Sequence, residues 1–182
     1  DKAVIHHVLP RETIIERQAA GKVGEKQIIA ANINVGLIVQ AVDRDFNLNR
    51  IERYLTLCHE ATINPMVILN KTDLLSELQL KEKLELTKKR IDPVPVISVN
   101  TVSKEGYAAL LPHIQKGITY CLLGASGVGK SSLLNCLAGN TVMNTSKISS
   151  ATQKGRHTTS HRQLHILKEG GIIIDNPGIR EV

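Results

Sequence analysis

The feature that most constrains this chain is Gly124-Ala-Ser-Gly-Val-Gly129-Lys130-Ser131, with an apolar run at residues 118–123 before it and an amphipathic run at 132–138 after it. A strand, a glycine-rich loop and a helix in that order make a phosphate-binding P-loop. The glycines let the backbone curl until successive N–H groups face a phosphate. The following helix adds its positive end, and Lys130 adds a full charge. Gly124, Ser126, Gly127, Val128 and Gly129, with Lys130, Ser131 and Ser132, are the expected contacts, and the Ser131 hydroxyl is an expected magnesium ligand. A nucleoside triphosphate is implied; the base is not.

The rest of the chain supplies the sheet that such a loop needs. Buried strands are expected at residues 35–42, 65–69, 94–97 and 118–123, with helices between them at about 48–61, 76–90 and 107–115. Leu80, Leu84 and Leu86 are expected to face inward from the second helix. Residues 164–167 and 172–174 flank Lys168-Glu-Gly-Gly171, the signature of a hairpin. This alternation predicts an α/β fold with a mostly parallel sheet covered on both faces, hence three layers. Residues 43–47 read as a polar loop able to cap the first helix, and 141–156 as a mobile loop. Residues 1–31 lack the regular pattern. A single strand at 4–9 broken by Pro10, then a polar linker, is expected, giving a tail at 1–32 and the main domain at 33–182.

In a parallel sheet, ligands bind at the carboxyl edge, in loops that follow strands. Asn70-Lys71-Thr72-Asp73 follows one expected strand. The Asp73 carboxylate can accept from the N1–H and the exocyclic amine of guanine, two donors that adenine lacks. Asn70 can brace the loop and bond the base, while the Lys71 stem covers the base face. Ser98-Val99-Asn100 follows the next strand and can support the guanine carbonyl. Asp175-Asn-Pro-Gly178 follows the last. There Asp175 can hold magnesium through water and the Gly178 N–H can bond the γ-phosphate. A threonine must also close over the metal. Thr158 and Thr159, in Gly155-Arg-His-Thr-Thr-Ser160, are the candidates, and Thr159 is favoured.

Charge and composition bear on the partner. The chain of 182 residues has a formal charge of +6, which favours a polyanion, while aromatics at 2% leave little surface for stacking unpaired bases. Contact with nucleic acid would therefore be mainly with backbone phosphates. Cys58, Cys121 and Cys136 are spaced neither as a zinc site nor as a disulfide framework, so they are expected as reduced core residues of a cytoplasmic protein. His6 and His7 lack a third metal-type neighbour and read as structural. No apolar run is long enough to span a membrane.

The order of these motifs is specific. The base-reading loops precede the P-loop and Asp-x-Pro-Gly comes last, so the chain resembles a circular permutation of the small GTPase fold. With Gly-x-Ser-Gly-Val-Gly-Lys-Ser-Ser, Gly-Arg-His-Thr-Thr and Asp-x-Pro-Gly-x-Arg-Glu in place, it closely resembles the bacterial small ribosomal subunit-dependent GTPase family. That resemblance implies a P-loop GTPase fold using GTP/GDP and Mg2+, stimulation by the small (30S) subunit whose late maturation it serves, and contact with rRNA. It also implies a remnant of an N-terminal OB-fold barrel in residues 1–32, and Zn2+ only in a C-terminal domain beyond Val182. A monomer is expected. Where Ras-type GTPases carry a water-orienting glutamine, this chain has Ile179, so hydrolysis must be slow or borrow another group. His157, beside the candidate threonines, is the expected catalytic group; its other reading is a contact to RNA phosphate. With Lys130 and Thr159 it completes the expected catalytic set.

Overall fold

The computed structural model describes residues 4–18, 26–103, 105–139 and 163–175. Strands β1 (Ile14–Gln18) and β2 (Lys26–Ala31) form an antiparallel pair. Next come β3 (Val35–Ala41), α1 (Leu48–Glu60), β4 (Asn64–Asn70), α2 (Glu77–Ile91), β5 (Val96–Ser98), β6 (Thr119–Leu123), α3 (Lys130–Ala138), β7 (Gln163–Ile166) and β8 (Ile172–Asp175). Six of the strands form one sheet in the order β5-β4-β3-β6-β8-β7, parallel except for the β7–β8 hairpin.

Side-chain alternation builds the layers. In a strand, successive side chains point to opposite faces. Ile38, Val67, Leu69, Cys121 and Leu123 join one cluster with Ile51, Tyr54, Leu55 and Cys58 of α1 and Ile91 of α2. Leu37, Val39, Ala41, Ile68, Tyr120 and Leu122 join the other with Leu110 and with Leu133, Leu134 and Leu137 of α3. Both faces of the central strands are thus covered, as the near-continuous apolar runs of a parallel sheet require. Gly36 makes room: a Cβ there would stand 2.6 Å from the Cys58 sulfur. Burial pushes the Cys58 thiol up to about 12, and burial first, then Cys58 and Asp175, does the same to Cys121. All three cysteines are free thiols.

Local signals set the helix starts. The Asn47 side chain accepts from the Arg50 N–H at 3.2 Å and caps α1. Ser76 and Gln79 form a reciprocal capping box at α2. The buried residues of α2 are Thr87 and Ile91, and Leu86 is exposed. The inward stripe runs 80, 84, 87, 91 at helical spacing, which leaves position 86 about a third of a turn away. Residues Glu105–His113 form a 3-10 helix where an α-helix is expected from the sequence. Pro112 lacks the N–H that an α-helical turn uses, and only Leu110 in that span is buried.

The larger departure is at the N-terminal end. Residues 4–10 are exposed and form no strand, whereas the stretch expected to be a linker carries β1 and β2. Ile15, Ile29 and Ala30 pack into the same cluster as β3 and α1. Side-chain hydrogen bonds clamp the join. Asn32 donates its side-chain N–H to Pro10 O at 3.1 Å and accepts from the Glu12 N–H at 2.9 Å. The Thr13 hydroxyl donates to Ile33 O at 2.8 Å and accepts from the Ile33 N–H at 2.7 Å. The expected mobile loop at 141–156 lies outside the described residues. Among the described residues no helix is long and apolar enough to cross a membrane. Because Ile15 is fully buried, Ile15→Ala should cost about 2–4 kcal/mol in urea unfolding, whereas Leu86→Ala should change the midpoint little.

Candidate nucleotide site

Register puts the loops together. Ala41 lies beside Asn70, Ile38 beside Leu123, Leu69 beside Ser98 and Cys121 beside Ile174, so β3, β4, β5, β6 and β8 all end at one edge. The sequence-predicted loops therefore converge although 105 residues separate Asn70 from Asp175.

At the phosphate loop, Gly124 has φ +140° and a Cβ there would strike the Val39 carbonyl. Gly129 has φ +100° and begins α3 without a side-chain cap. The first N–H groups of a helix lack intrahelical partners, so an anion can take them. The Lys130 ammonium folds back over the loop and donates to Gly124 O at 2.7 Å and Ala125 O at 2.6 Å. Val128 is buried and plugs the loop into the core, while Ser126 and Gly127 are exposed and Ser131 and Ser132 half-buried.

Asn70 joins the two halves of the site. It is fully buried, and its side-chain N–H donates to Val128 O at 2.9 Å. A carbonyl only accepts, so the amide nitrogen must face the phosphate loop. The other amide atom, Oδ1, is buried and has no donor among the described residues. A Cβ at position 129 would collide with this amide, which gives Gly129 a second reason to be glycine. Lys71 adopts φ 64°, and its ammonium pairs with Asp43 Oδ2 at 2.9 Å. Desolvation pushes the Asp43 carboxyl up, but the Lys71 hydrogen bond, the Asp45 N–H and the Lys71 and Arg44 charges outweigh it and hold it below its ordinary value.

Asp73 lies exposed in a 3-10 turn, Thr72–Leu74. That turn is moored to the next loop, because the Thr72 hydroxyl and N–H both donate to Val99 O, at 3.1 and 3.3 Å. Within that loop the Val99 N–H is spent on Leu69 O at 2.8 Å and the Asn100 N–H on Gly106 O at 2.7 Å. Asp175 ends β8 and is buried. His157, Thr158, Thr159, Gly178 and Ile179 lie outside the described residues. A cleft of about 680 Å3 lined by Val35, Asn64, Met66, Arg90 and Pro93 opens at the opposite, amino-terminal edge and contains none of the motif residues.

Sequence reasoning missed Asp43, which reads there as an ordinary loop residue. The only signal was its place just past a strand that ends level with Asn70.

Comparison with known proteins agrees with this geometry. The family model described as RsgA GTPase matches residues 8–182. A protein of Methanosarcina acetivorans named "Small ribosomal subunit biogenesis GTPase RsgA" is 44% identical over 181 residues, covering 98% of this chain and 48% of the relative. The chain spans about half the length of the curated relatives it matches. Among solved structures, YjeQ from Thermotoga maritima aligns with a TM-score of 0.69 at 24% identity, over 97% of this chain and 56% of that one. YloQ, described as a circularly permuted GTPase, aligns at 0.61 and 21% identity, over 97% and 60%. The fold is thus that of the circularly permuted GTPases.

Gly124→Ala forces a side chain into left-handed backbone against the Val39 carbonyl. It should cost about 1–3 kcal/mol of strain and weaken the binding of inorganic tripolyphosphate, measured by calorimetry, by at least a comparable factor.

Proposed function

The chain belongs to the RsgA GTPase family, and from that premise we propose that it is a guanine-nucleotide switch that hydrolyses GTP in the late maturation of the small ribosomal subunit. The observation that carries this reading is the buried Asn70–Val128 hydrogen bond, which ties the base-reading loop to the phosphate loop across 58 residues. An arrangement that serves only a phosphate has no need of that tie. In this reading Asp73 selects guanine, Asn70 and the Lys71 stem seat the base, and Ser98, Val99 and Asn100 flank its carbonyl. Lys130 and the N–H groups of 124–132 hold the phosphates, and the Gly178 N–H senses the γ-phosphate.

The donor set fits magnesium carried on the nucleotide. Among the described residues no three metal-type side chains cluster, and Mg2+ characteristically uses one or two protein oxygens together with substrate phosphates. Ser131, Asp175 through water, and Thr159 are the proposed ligands. Bound there, the ion neutralises charge on the transferring phosphate. Ile179 cannot orient water, so His157 is assigned that task, with Lys130 stabilising the charge that develops.

The whole-protein reading extends this. The small subunit and its rRNA are the partners, in keeping with the charge of +6, and the protein is a cytoplasmic monomer. Residues 1–32 are assigned as the tail of an OB-fold domain, whose β1–β2 pair packs against the permuted GTPase domain of residues 33–182, and Zn2+ to a C-terminal domain of full-length relatives. A second reading, a guanine-nucleotide-dependent RNA-binding module with negligible hydrolysis of its own, is favoured by one residue, Ile179.

Competition binding of GTP, GDP and ATP tests the base, and GTP and GDP should win. Asp73→Asn should lower the preference for GDP over ADP about tenfold or more, the scale of a lost charge-assisted hydrogen bond. Multiple-turnover phosphate release should rise on adding small subunits; no release in either condition would favour the second reading. His157→Ala should lower subunit-stimulated turnover about tenfold or more with GDP affinity nearly unchanged. Full single-turnover hydrolysis in that variant would remove His157 from the mechanism.

A further inference from the structure

The loop between β3 and α1 sits at the same edge as the nucleotide loops, yet none of the motif readings uses it. Its geometry is fixed from several sides. The Val42 N–H donates to Asn70 O at 3.0 Å, continuing the β3–β4 ladder into the loop. Gln40 is a buried polar residue whose side-chain N–H donates to Asp45 O at 3.0 Å and to Ala41 O at 3.1 Å. Phe46 packs against the core cluster, and the Lys83 ammonium lies 4.2 Å from its ring centre. Asn47 then caps α1. The loop is therefore a rigid bracket.

What the bracket presents is Asp43, and both carboxylate oxygens have assigned tasks. Oδ1 accepts from the Asp45 N–H at 3.1 Å, closing a turn that fixes the side chain on its own loop. Oδ2 accepts from the Lys71 ammonium at 2.9 Å. Both side chains of the pair are about one-fifth exposed. Lys71 itself holds the left-handed φ of 64° between buried Asn70 and the Thr72–Leu74 turn. Its backbone is thus set by β4 and its far end by Asp43. A four-carbon stem fixed at both ends has lost most of its rotamer freedom before any ligand arrives, and that lowers the entropy cost of binding.

We infer that Asp43 is a positioning residue for the nucleobase: by holding the Lys71 ammonium it stretches the Lys71 stem into a preformed apolar wall for the guanine ring. This rests on the guanine reading given above and adds to it the residue that pre-organises the base contact. Asp43 is not expected to touch the nucleotide. Its effect passes through Lys71 alone, so it should act on the base and leave the phosphates untouched.

The test uses calorimetry on the 182-residue chain with GDP, ADP and inorganic tripolyphosphate, the last having no base. Asp43→Asn retains an oxygen for the Asp45 N–H, so the loop turn survives while the charge is lost. GDP affinity should fall about fivefold, the scale of a partly exposed charge pair, with tripolyphosphate affinity unchanged. Lys71→Met keeps an apolar stem without the ammonium and should show a similar loss. Adding Asp43→Asn to Lys71→Met should then weaken GDP no further. Equal losses for GDP and tripolyphosphate, or additive losses in the double variant, would overturn the proposal, because either means that Asp43 acts on the fold at large. Unchanged GDP affinity in Asp43→Asn, beside an unaltered chain that prefers GDP to ADP, sinks this proposal alone. An unaltered chain that holds GDP and ADP equally sinks the guanine reading and takes this one with it.

Discussion

The Asn70–Val128 hydrogen bond is the constraint on which the rest of the site depends. It is a neutral amide-to-carbonyl bond in a fully buried position, where leaving the carbonyl unpaired would cost about 1–3 kcal/mol. To make it, β4 must end level with the phosphate loop, Gly129 must have no side chain, and Val128 must be drawn into the core. Each condition is met by a different part of the chain. The base loop and the phosphate loop thereby become one rigid body, and the distance between base and phosphates is set before ligand arrives.

Permutation is compatible with this because the sheet and not the chain order sets the geometry. β3 lies at the centre, with β4 on one side and β6 on the other, and parallel register carries every strand end to the same edge. A site made of such ends is indifferent to how the loops are joined. The hydrophobic clusters are equally indifferent. In the parallel strands β3, β4, β5, β6 and β8, adjacent residues belong to opposite clusters, so each of these strands contributes to both layers wherever it falls in the chain.

The N-terminal hairpin extends the first of those clusters. Ile15 and Ile29 are buried against the same residues that α1 covers, and Thr13 and Asn32 clamp the join with hydrogen bonds in both directions. A two-stranded ribbon has marginal stability alone; here its apolar side is part of a larger core. At the carboxyl edge of the sheet, opposite this join, the β3–α1 loop shows polar groups used the same way. Gln40 and Asp43 each satisfy partners on neighbouring segments, and the segments lose freedom as a result.

The sequence by itself determined the elements whose signals are local. The P-loop, the capped helices and the buried strands were legible because glycine φ values, side-chain caps and apolar periodicity act over a few residues. Motif order sufficed to reveal the permutation. Where the signal was short or conflicted, tertiary structure decided. The apolar pairs at 14–15 and 28–29 were too brief to outweigh their polar neighbours until a core existed to bury them. Leu86 lost its inward place to Thr87 because the helix face is chosen by what it packs against. Pro112 and the short span beside it turned an expected α-helix into a 3-10 helix. Asp43 and Lys71 are 28 residues apart, and nothing in either one's neighbourhood announces the other. Only the β3–β4 register brings them together, since a charge pair across strands is a property of the folded edge and not of the chain.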